Sequence, residues 1–533
     1  PPKKVCIIGA GASGLTAIKC CNDEGLEPTC FEKSNDIGAG LWRYEDNAKD
    51  GACVYNSTVI NTSKEMMCYS DFPIPKEYPN YMHNVKIMEY FRSYAERFNL
   101  LKHITFNTSV VSCEPMENGQ WVIKTCDEKT KEEKERIFDA VLVCIGHHAQ
   151  PYYPLDAFPG IESFGGEYFH SHEYRKPHRF DGKRVLVIGV GNSGGDLAVE
   201  ISRHAKQLFL STRRGCWVLN RVSGNGMPLD VNVTTRFVQF VFLQPHICGF
   251  SRFVNYIAEK QVNARFDHEM YGLKPKHRFN GQHPTVNDEI PNCILCGRII
   301  VVKNVTKFNK TQAVFEDGRT EDIDVVIFAT GYRFNYPFLS ESILKVENNR
   351  CRLYKHMWPS TVENNTLAFI GGIQPLGAIN PISEIQCRWA LRVFKGLNVL
   401  PNVKERENSI DQQISKMSEL YYESPRHTIQ VNYVVYMDDI ASQIQVKPNF
   451  IKLLADPKLF VKVLFGPCTP YQYRLHGVGK WQEARHMILT LKDRVRYPLT
   501  SKKQQKESGL PIGFIVFILI ISILFYYLYI IYL

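Results

Sequence analysis

Val5-Cys6-Ile7-Ile8-Gly9-Ala10-Gly11-Ala12-Ser13-Gly14 reads as a buried strand, a glycine turn and the start of a helix. The pattern returns 180 positions later as Val185-Leu186-Val187-Ile188-Gly189-Val190-Gly191-Asn192-Ser193-Gly194. In such a turn the first glycine permits the bend and the second lets the backbone approach a pyrophosphate. The third lets helix and strand pack closely, and the phosphates rest on the helix N-terminus. The strand-turn-helix context raises a weak pattern to a specific one. Two copies predict an α/β chain with two Rossmann-like dinucleotide-binding domains and electron traffic between two nucleotides.

The residue closing each second strand separates the two nucleotides. Thr29-Cys30-Phe31 runs into Glu32, 18 positions after Gly14. A carboxylate there accepts from ribose hydroxyls and repels a 2′-phosphate. In the second copy Gln207 to Ser211 is the matching strand, and the same count from Gly194 reaches Thr212, followed by Arg213 and Arg214. A neutral residue followed by guanidinium groups suits a 2′-phosphate. The first site is therefore expected to take FAD, through Gly9, Ala10, Gly11, Ala12, Ser13, Gly14 and Glu32. The second is expected to take NADPH, through Gly189, Gly191, Asn192, Ser193, Gly194, Gly195, Asp196, Thr212 and Arg213.

The chain has 533 residues, room for about three domains. Its 44% hydrophobic and 22% charged content is that of a globular protein. The net charge of +10 suits anionic cofactors and an anionic membrane surface. Dense Lys/Arg never coincides with aromatic platforms, so no nucleic-acid partner is expected.

The run from Leu510 to Leu533 carries no charge, and as a helix its 24 residues would span about 36 Å, enough to cross a bilayer. Lys502, Lys503 and Lys506 precede it and favour the cytosolic side. No signal peptide is read at the start. The expectation is a C-terminal transmembrane helix acting as tail anchor, with the catalytic body cytosolic. In that compartment the 16 cysteines should stay reduced. Cys6, Cys30 and Cys144 fall in apolar strand runs, and Cys293 and Cys296, despite dithiol spacing, read as packing residues. The sequons at Asn56, Asn61, Asn107, Asn232, Asn304, Asn309 and Asn364 are expected to be silent.

Each nucleotide unit closes with a similar apolar stretch, Phe138 to Gly146 and Ile323 to Tyr332, each read as a strand ending at glycine. The Pro-rich link Gln150 to Pro159 reads as a boundary. The NADPH domain is expected to be inserted in the FAD domain. This gives FAD-binding parts at 1–155 and 333–445, an NADPH-binding part at 156–332 with an aromatic and basic insertion at about 219–295, and a helical part at 446–508.

At this point the chain resembles a flavin-containing monooxygenase of the vertebrate microsomal type, along nearly its whole length. Phe164, Gly166, His170 and Tyr174 stand in that family's identifying pattern, just before the second glycine turn. Phe328-Ala329-Thr330-Gly331-Tyr332 matches its second linker, and Asn61-Thr62-Ser63-Lys64-Glu65-Met66 the segment carrying its active-site asparagine. Arg265 to Met270, Lys274 to Arg278 and His283-Pro284-Thr285 are most similar to form 5 of the family, noted for Baeyer–Villiger oxidation of ketones.

The resemblance implies that NADPH reduces FAD, that the flavin takes up O₂ as a C4a-(hydro)peroxide, and that retained NADP⁺ shields it from water. It implies Asn61 as the catalytic residue, with Ile60 and Thr62 beside the cofactor. It implies FAD contacts from Gly40, Leu41 and Trp42, His283 near the substrate, and an endoplasmic reticulum membrane location. His170 is read as structural rather than catalytic. Two departures stand out: Ala39 is an extra residue in the expected FAD loop, and Ile145 replaces a small hydroxyl residue. The substrates expected are small soft nitrogen or sulfur nucleophiles, or ketones. The competing readings are an N/S-oxygenase without Baeyer–Villiger activity, an uncoupled NADPH oxidase, an NADPH-dependent disulfide reductase, and a membrane-tethered nucleotide-binding pseudoenzyme.

Overall fold

A computed structural model describes residues 3–38, 41–46, 54–148, 150–242, 250–420 and 428–500. Its frame is two five-stranded parallel sheets. The first contains β1 (Lys4–Ile8), β2 (Glu27–Phe31), β3 (Ile104–Thr105), β4 (Ala140–Val143) and a fifth strand from much later in the chain. The second contains β5 (Glu167–His170), β6 (Arg184–Ile188), β7 (Gln207–Ser211), β8 (Ile299–Val302) and β9 (Val325–Phe328). The late strand, β10 (Leu367–Phe369), pairs in parallel with β4 and completes the first sheet. The orders are β10-β4-β1-β2-β3 and β8-β7-β6-β9-β5.

Central strands buried on both faces need continuous apolar runs. Val5, Cys6 and Ile7, and likewise Val185, Leu186 and Val187, are fully buried. Helices cover them: α1 (Ala12–Asp23) follows the first glycine turn, α2 (Asn192–Ile201) the second, and α3 (Ile379–Phe394) packs against α1. In each unit an antiparallel three-stranded meander precedes the closing strand. One spans Thr108–Pro115, Trp121–Asp127 and Glu133–Phe138, and the other Val305–Phe308, Gln312–Phe315 and Thr320–Asp322.

The stretch 138–146 is not one strand, as its apolar run suggested. Phe138 ends the first meander. Asp139 then turns the chain by accepting from the Lys4 N–H and the Gln120 amide, and β4 begins at Ala140. The stretch 323–332 is not one strand either: β9 covers only Val325–Phe328, and a separate short strand begins at Tyr332. After β9 the chain passes Gly331, whose φ of +88° is left-handed, and Tyr332–Arg333 pairs antiparallel with Gln150–Pro151. The two chain crossings between the units are thus hydrogen-bonded to each other.

The insertion contains helices Leu229–Val233, Arg236–Phe242, Phe250–Asn263 and Ile290–Leu295 and a two-residue pairing of Val218–Leu219 with Thr285–Val286. Cys6, Cys30, Cys144 and Cys293 are buried, Cys296 is exposed, and all five are unbridged. Among the described residues no helix is long and apolar enough to cross a membrane. The segment 510–533 lies outside them, as do Ala39 and Gly40 of the expected FAD loop.

Candidate active site

The two glycine turns are built alike. Gly9 has φ +99° and Gly189 φ +109°. A Cβ on Gly14 would fall 1.9 Å from the Gly9 carbonyl oxygen, and one on Gly194 2.0 Å from that of Gly189. Those glycines are required by close packing of helix on strand. A Cβ on Gly11 or Gly191 would meet nothing within 4 Å. The open side lies where a pyrophosphate needs the backbone bare, beside helix N-terminal N–H groups without side-chain caps. Both turns therefore fit a dinucleotide.

The strand ends differ. Glu32 is buried, and its carboxylate accepts from the backbone N–H of Ala10 at 2.7 Å and of Ser34 at 2.9 Å. These bonds hold the carboxylate against the first turn, over which a ribose would lie. Thr212 is buried and turns inward, its Oγ1 accepting from the Gly215 N–H at 2.9 Å. Arg213 is exposed, and the Lys276 backbone bonds to the Arg214 carbonyl. The second strand end therefore presents cations and no carboxylate. Ser13 is buried, its Oγ 2.9 Å from Ser383 Oγ on α3, while Ser193 is exposed. Leu41 and Trp42 are half-buried, and the Trp42 N–H donates to Gly38.

The insertion folds back over the second turn. Thr285 Oγ1 donates to the Val190 carbonyl, the Val286 N–H to Asn192 Oδ1 at 2.8 Å, and the Asn287 amide to Asp196 Oδ1 at 2.8 Å. Tyr55, from the first unit, donates to the other Asp196 oxygen. Burial pushes the Asp196 carboxyl above its usual range. Ile290 and Thr285 pack tightly against Gly195, where a Cβ would lie 2.9 Å from Ile290 Cδ1 and force that side chain to shift.

Asn61 is half-buried between the units, with Ile60 buried behind it and Thr62 half-buried beyond. Arg221 of the insertion donates to Asn61 Oδ1 at 2.7 Å and pairs with Asp288 at 3.0 Å. A guanidinium has no acceptor, so it selects the amide oxygen and leaves the Asn61 NH₂ as the donor available to the cleft. Two residues on, the Ser63 N–H donates to Asp230 Oδ2 at 2.6 Å. Burial raises the Asp230 carboxyl to about 6. The insertion therefore grips the asparagine segment twice. Neither Arg221 nor Asp230 was singled out by sequence. Arg221 lies 160 positions from Asn61, and no motif brackets it.

His283 is half-buried, with Nδ1 3.4 Å from Gln430 Nε2. That side chain belongs to the strand Gln430–Asn432 rather than to the asparagine segment. His170 is fully buried, accepts from the His172 N–H at 3.1 Å and caps the turn Ser171–Glu173. Burial lowers its imidazole to about 4, so it stays neutral and structural. The rest of its motif also packs: a Cβ on Gly166 would strike the Asp324 carbonyl and the Phe164 ring, and Tyr174 is buried against Phe180.

The family model for flavin-binding monooxygenase-like proteins matches residues 2–533. The chain belongs to that family. Its two Rossmann-like units are those of the flavin monooxygenase fold. Flavin-containing monooxygenase 5 of Rattus norvegicus is 55% identical over 514 residues, covering 95% of each chain. The S-allyl-L-cysteine S-oxygenase of Allium sativum shares the fold with TM-score 0.65 at 22% identity, over 93% of this chain and 99% of that one. Cyclohexanone monooxygenase from Rhodococcus sp. Phi1, solved bound to NADP⁺, aligns with TM-score 0.59 at 17% identity, over 86% and 98%.

Proposed function

We propose that this protein is an NADPH- and O₂-dependent flavin monooxygenase that inserts oxygen into aliphatic ketones and, more weakly, oxygenates soft sulfur and nitrogen nucleophiles. The observation that carries the reading is the pair of open glycine cradles, one ending at Glu32 and one at Thr212-Arg213, joined through the Arg221–Asn61 contact. Gly9 to Gly14 and Glu32 would hold FAD, with Leu41, Trp42, Ile60 and Thr62 beside it. Gly189 to Asp196, Thr212 and Arg213 would hold NADPH. When bound, the flavin supplies activation of O₂ and the nicotinamide supplies reducing equivalents.

The chain's own task is placement and exclusion of water. Arg221 orients Asn61 so that its NH₂ donates into the cleft, and Asp230 fixes the backbone that carries it. Thr285 and Asn287 close the second turn from above. The ketone preference rests on the likeness to form 5 at His283-Pro284-Thr285. A second reading, N/S-oxygenation without Baeyer–Villiger insertion, is favoured by one observation: His283 Nδ1 lies 3.4 Å from Gln430 Nε2, on a strand outside the asparagine segment. Incubating the holoenzyme with NADPH and a linear ketone decides between them. Ester formation supports the first, and ready sulfoxide formation with no detectable ester supports the second.

The division into FAD parts 1–155 and 333–445, NADPH part 156–332 and helical part 446–508 is supported by β10 joining the first sheet and by the paired crossings. Anchoring in the endoplasmic reticulum membrane with a cytosolic body is supported by the charge-free composition of 510–533. Deleting 510–533 is expected to move activity to the soluble fraction with flavin retained. A truncated protein that still resists a carbonate wash would place the attachment elsewhere.

A further inference from the structure

On the far side of the second unit from its glycine turn, three metal-ligating side chains converge. His178 lies in the turn Pro177–Phe180, Asp181 follows it, and His204 stands just beyond the C-terminus of α2. One ligand atom from each lies within 4.8 Å of the other two. His204 Nδ1 is 2.8 Å from Asp181 Oδ1. The His178 and His204 rings meet edge to face with centroids 4.8 Å apart.

The backbone sets this arrangement. Gly182, in the left-handed region at φ +70°, donates its N–H to the His204 carbonyl, and the Lys206 N–H donates to Lys183. The segment entering β6 and the segment leaving α2 are thus tied side by side. The arginines adjoining His178 and His204 in sequence already have anionic partners, Arg179 with Glu167 and Arg203 with Glu289. The C-terminal end of α2 adds a negative partial charge, which favours a cation. A surface His–Asp pair contributes little by itself and needs no second imidazole. It leaves His178 unexplained.

Bonds of about 2.1 Å place two ligands of one ion about 3–3.5 Å apart. Asp181 and His204 are already close to that spacing, and His178, on an exposed turn, has only a short distance to close. We propose that His178, Asp181 and His204 bind a divalent transition-metal ion of zinc type. Two imidazoles and a carboxylate are a donor set such ions accept, with the remaining positions open to water. None of the three touches either glycine turn, so the ion would act as a staple between the start of β6 and the end of α2. Binding to the folded form alone raises stability by mass action.

The test uses the full-length holoenzyme, stripped with a chelator and titrated with Co²⁺. One equivalent is expected to bind, with visible d–d bands and no thiolate charge-transfer band, and Zn²⁺ is expected to displace it and raise the thermal midpoint. His178→Ala and His204→Ala should each weaken binding at least about tenfold. Flavin content and NADPH turnover should be unchanged, which shows that the variants fold. Asp181→Asn should weaken binding less. No saturable Co²⁺ binding, an affinity in either histidine variant equal to that of the parent protein, or a thiolate band pointing to cysteine would overturn the proposal.

Discussion

The two nucleotide units agree in sheet layout and in turn geometry, and they disagree in where their outer strands come from. In both, the strand order runs third, second, first, closing, outer. The outer strand of the first unit is β10, drawn from after the second unit, whereas that of the second is β5, drawn from just before its own turn. In both, the N–H of the first glycine donates to the last residue of the second strand, Gly9 to Phe31 and Gly189 to Ser211. Beyond that point the units part. The first anchors a carboxylate with two backbone N–H groups, and the second turns a threonine inward and leaves an arginine exposed. Phosphate chemistry is common to both nucleotides and ribose chemistry is not, so the likeness at the site stops at the turn.

Substitutions at the glycines should break this likeness most sharply. Gly14→Ala and Gly194→Ala put a methyl group into a backbone carbonyl and should each cost at least about 3 kcal/mol. Gly14→Ala should abolish flavin retention. Gly194→Ala should leave flavin bound and abolish reduction by NADPH. Gly11→Ala and Gly191→Ala meet open space, so they should preserve the thermal midpoint while weakening the one cofactor each faces. Flavin absorbance and stopped-flow reduction read both pairs. If Gly191→Ala destabilised the fold as much as Gly194→Ala, the cradle assignment would be wrong.

Pairing between the insertion of the second unit and the asparagine segment of the first adds a pH-dependent contact between them. The Asp230 carboxyl is raised to about 6 in the folded protein, against about 3.9 unfolded. A raised carboxyl binds its proton more tightly when folded, so its contribution is most favourable below about pH 4 and is lost as pH rises through 6. That loss is on the order of 2–3 kcal/mol. Asp230→Asn should therefore gain stability relative to the parent on going from pH 5 to pH 8, as measured by thermal unfolding. A pH-independent difference would show that the carboxylate is already fully compensated by Ser63.

Arg213→Ala tests the strand-end difference and should be of similar or smaller size. Losing a charge-assisted bond to a 2′-phosphate costs about 1.5–3 kcal/mol, roughly ten- to a hundredfold in NADPH affinity. NADH affinity should barely move. Equal losses for both cofactors would erase the contrast with Glu32.

The glycine turns, the strands that feed them and the strand-end chemistry were legible in the chain because each is a local demand. Positive φ at Gly9 and Gly189, continuous apolar runs at Val5–Ile8 and Val185–Ile188, and the residue ending a strand are set within a few tens of positions. The closing stretches were read too long, because a run of apolar residues does not show that Asp139 will cap a strand edge. Tertiary structure alone decided the rest. β10 is three residues long and is a strand only because β4 offers an edge beside it. Arg221 and Asp230 reach the asparagine segment across 160 and 167 positions, a contact that depends on how two sheets and an insertion pack together. No local periodicity or propensity records that orientation, since the energy that fixes it comes from burial between elements that are distant in the chain.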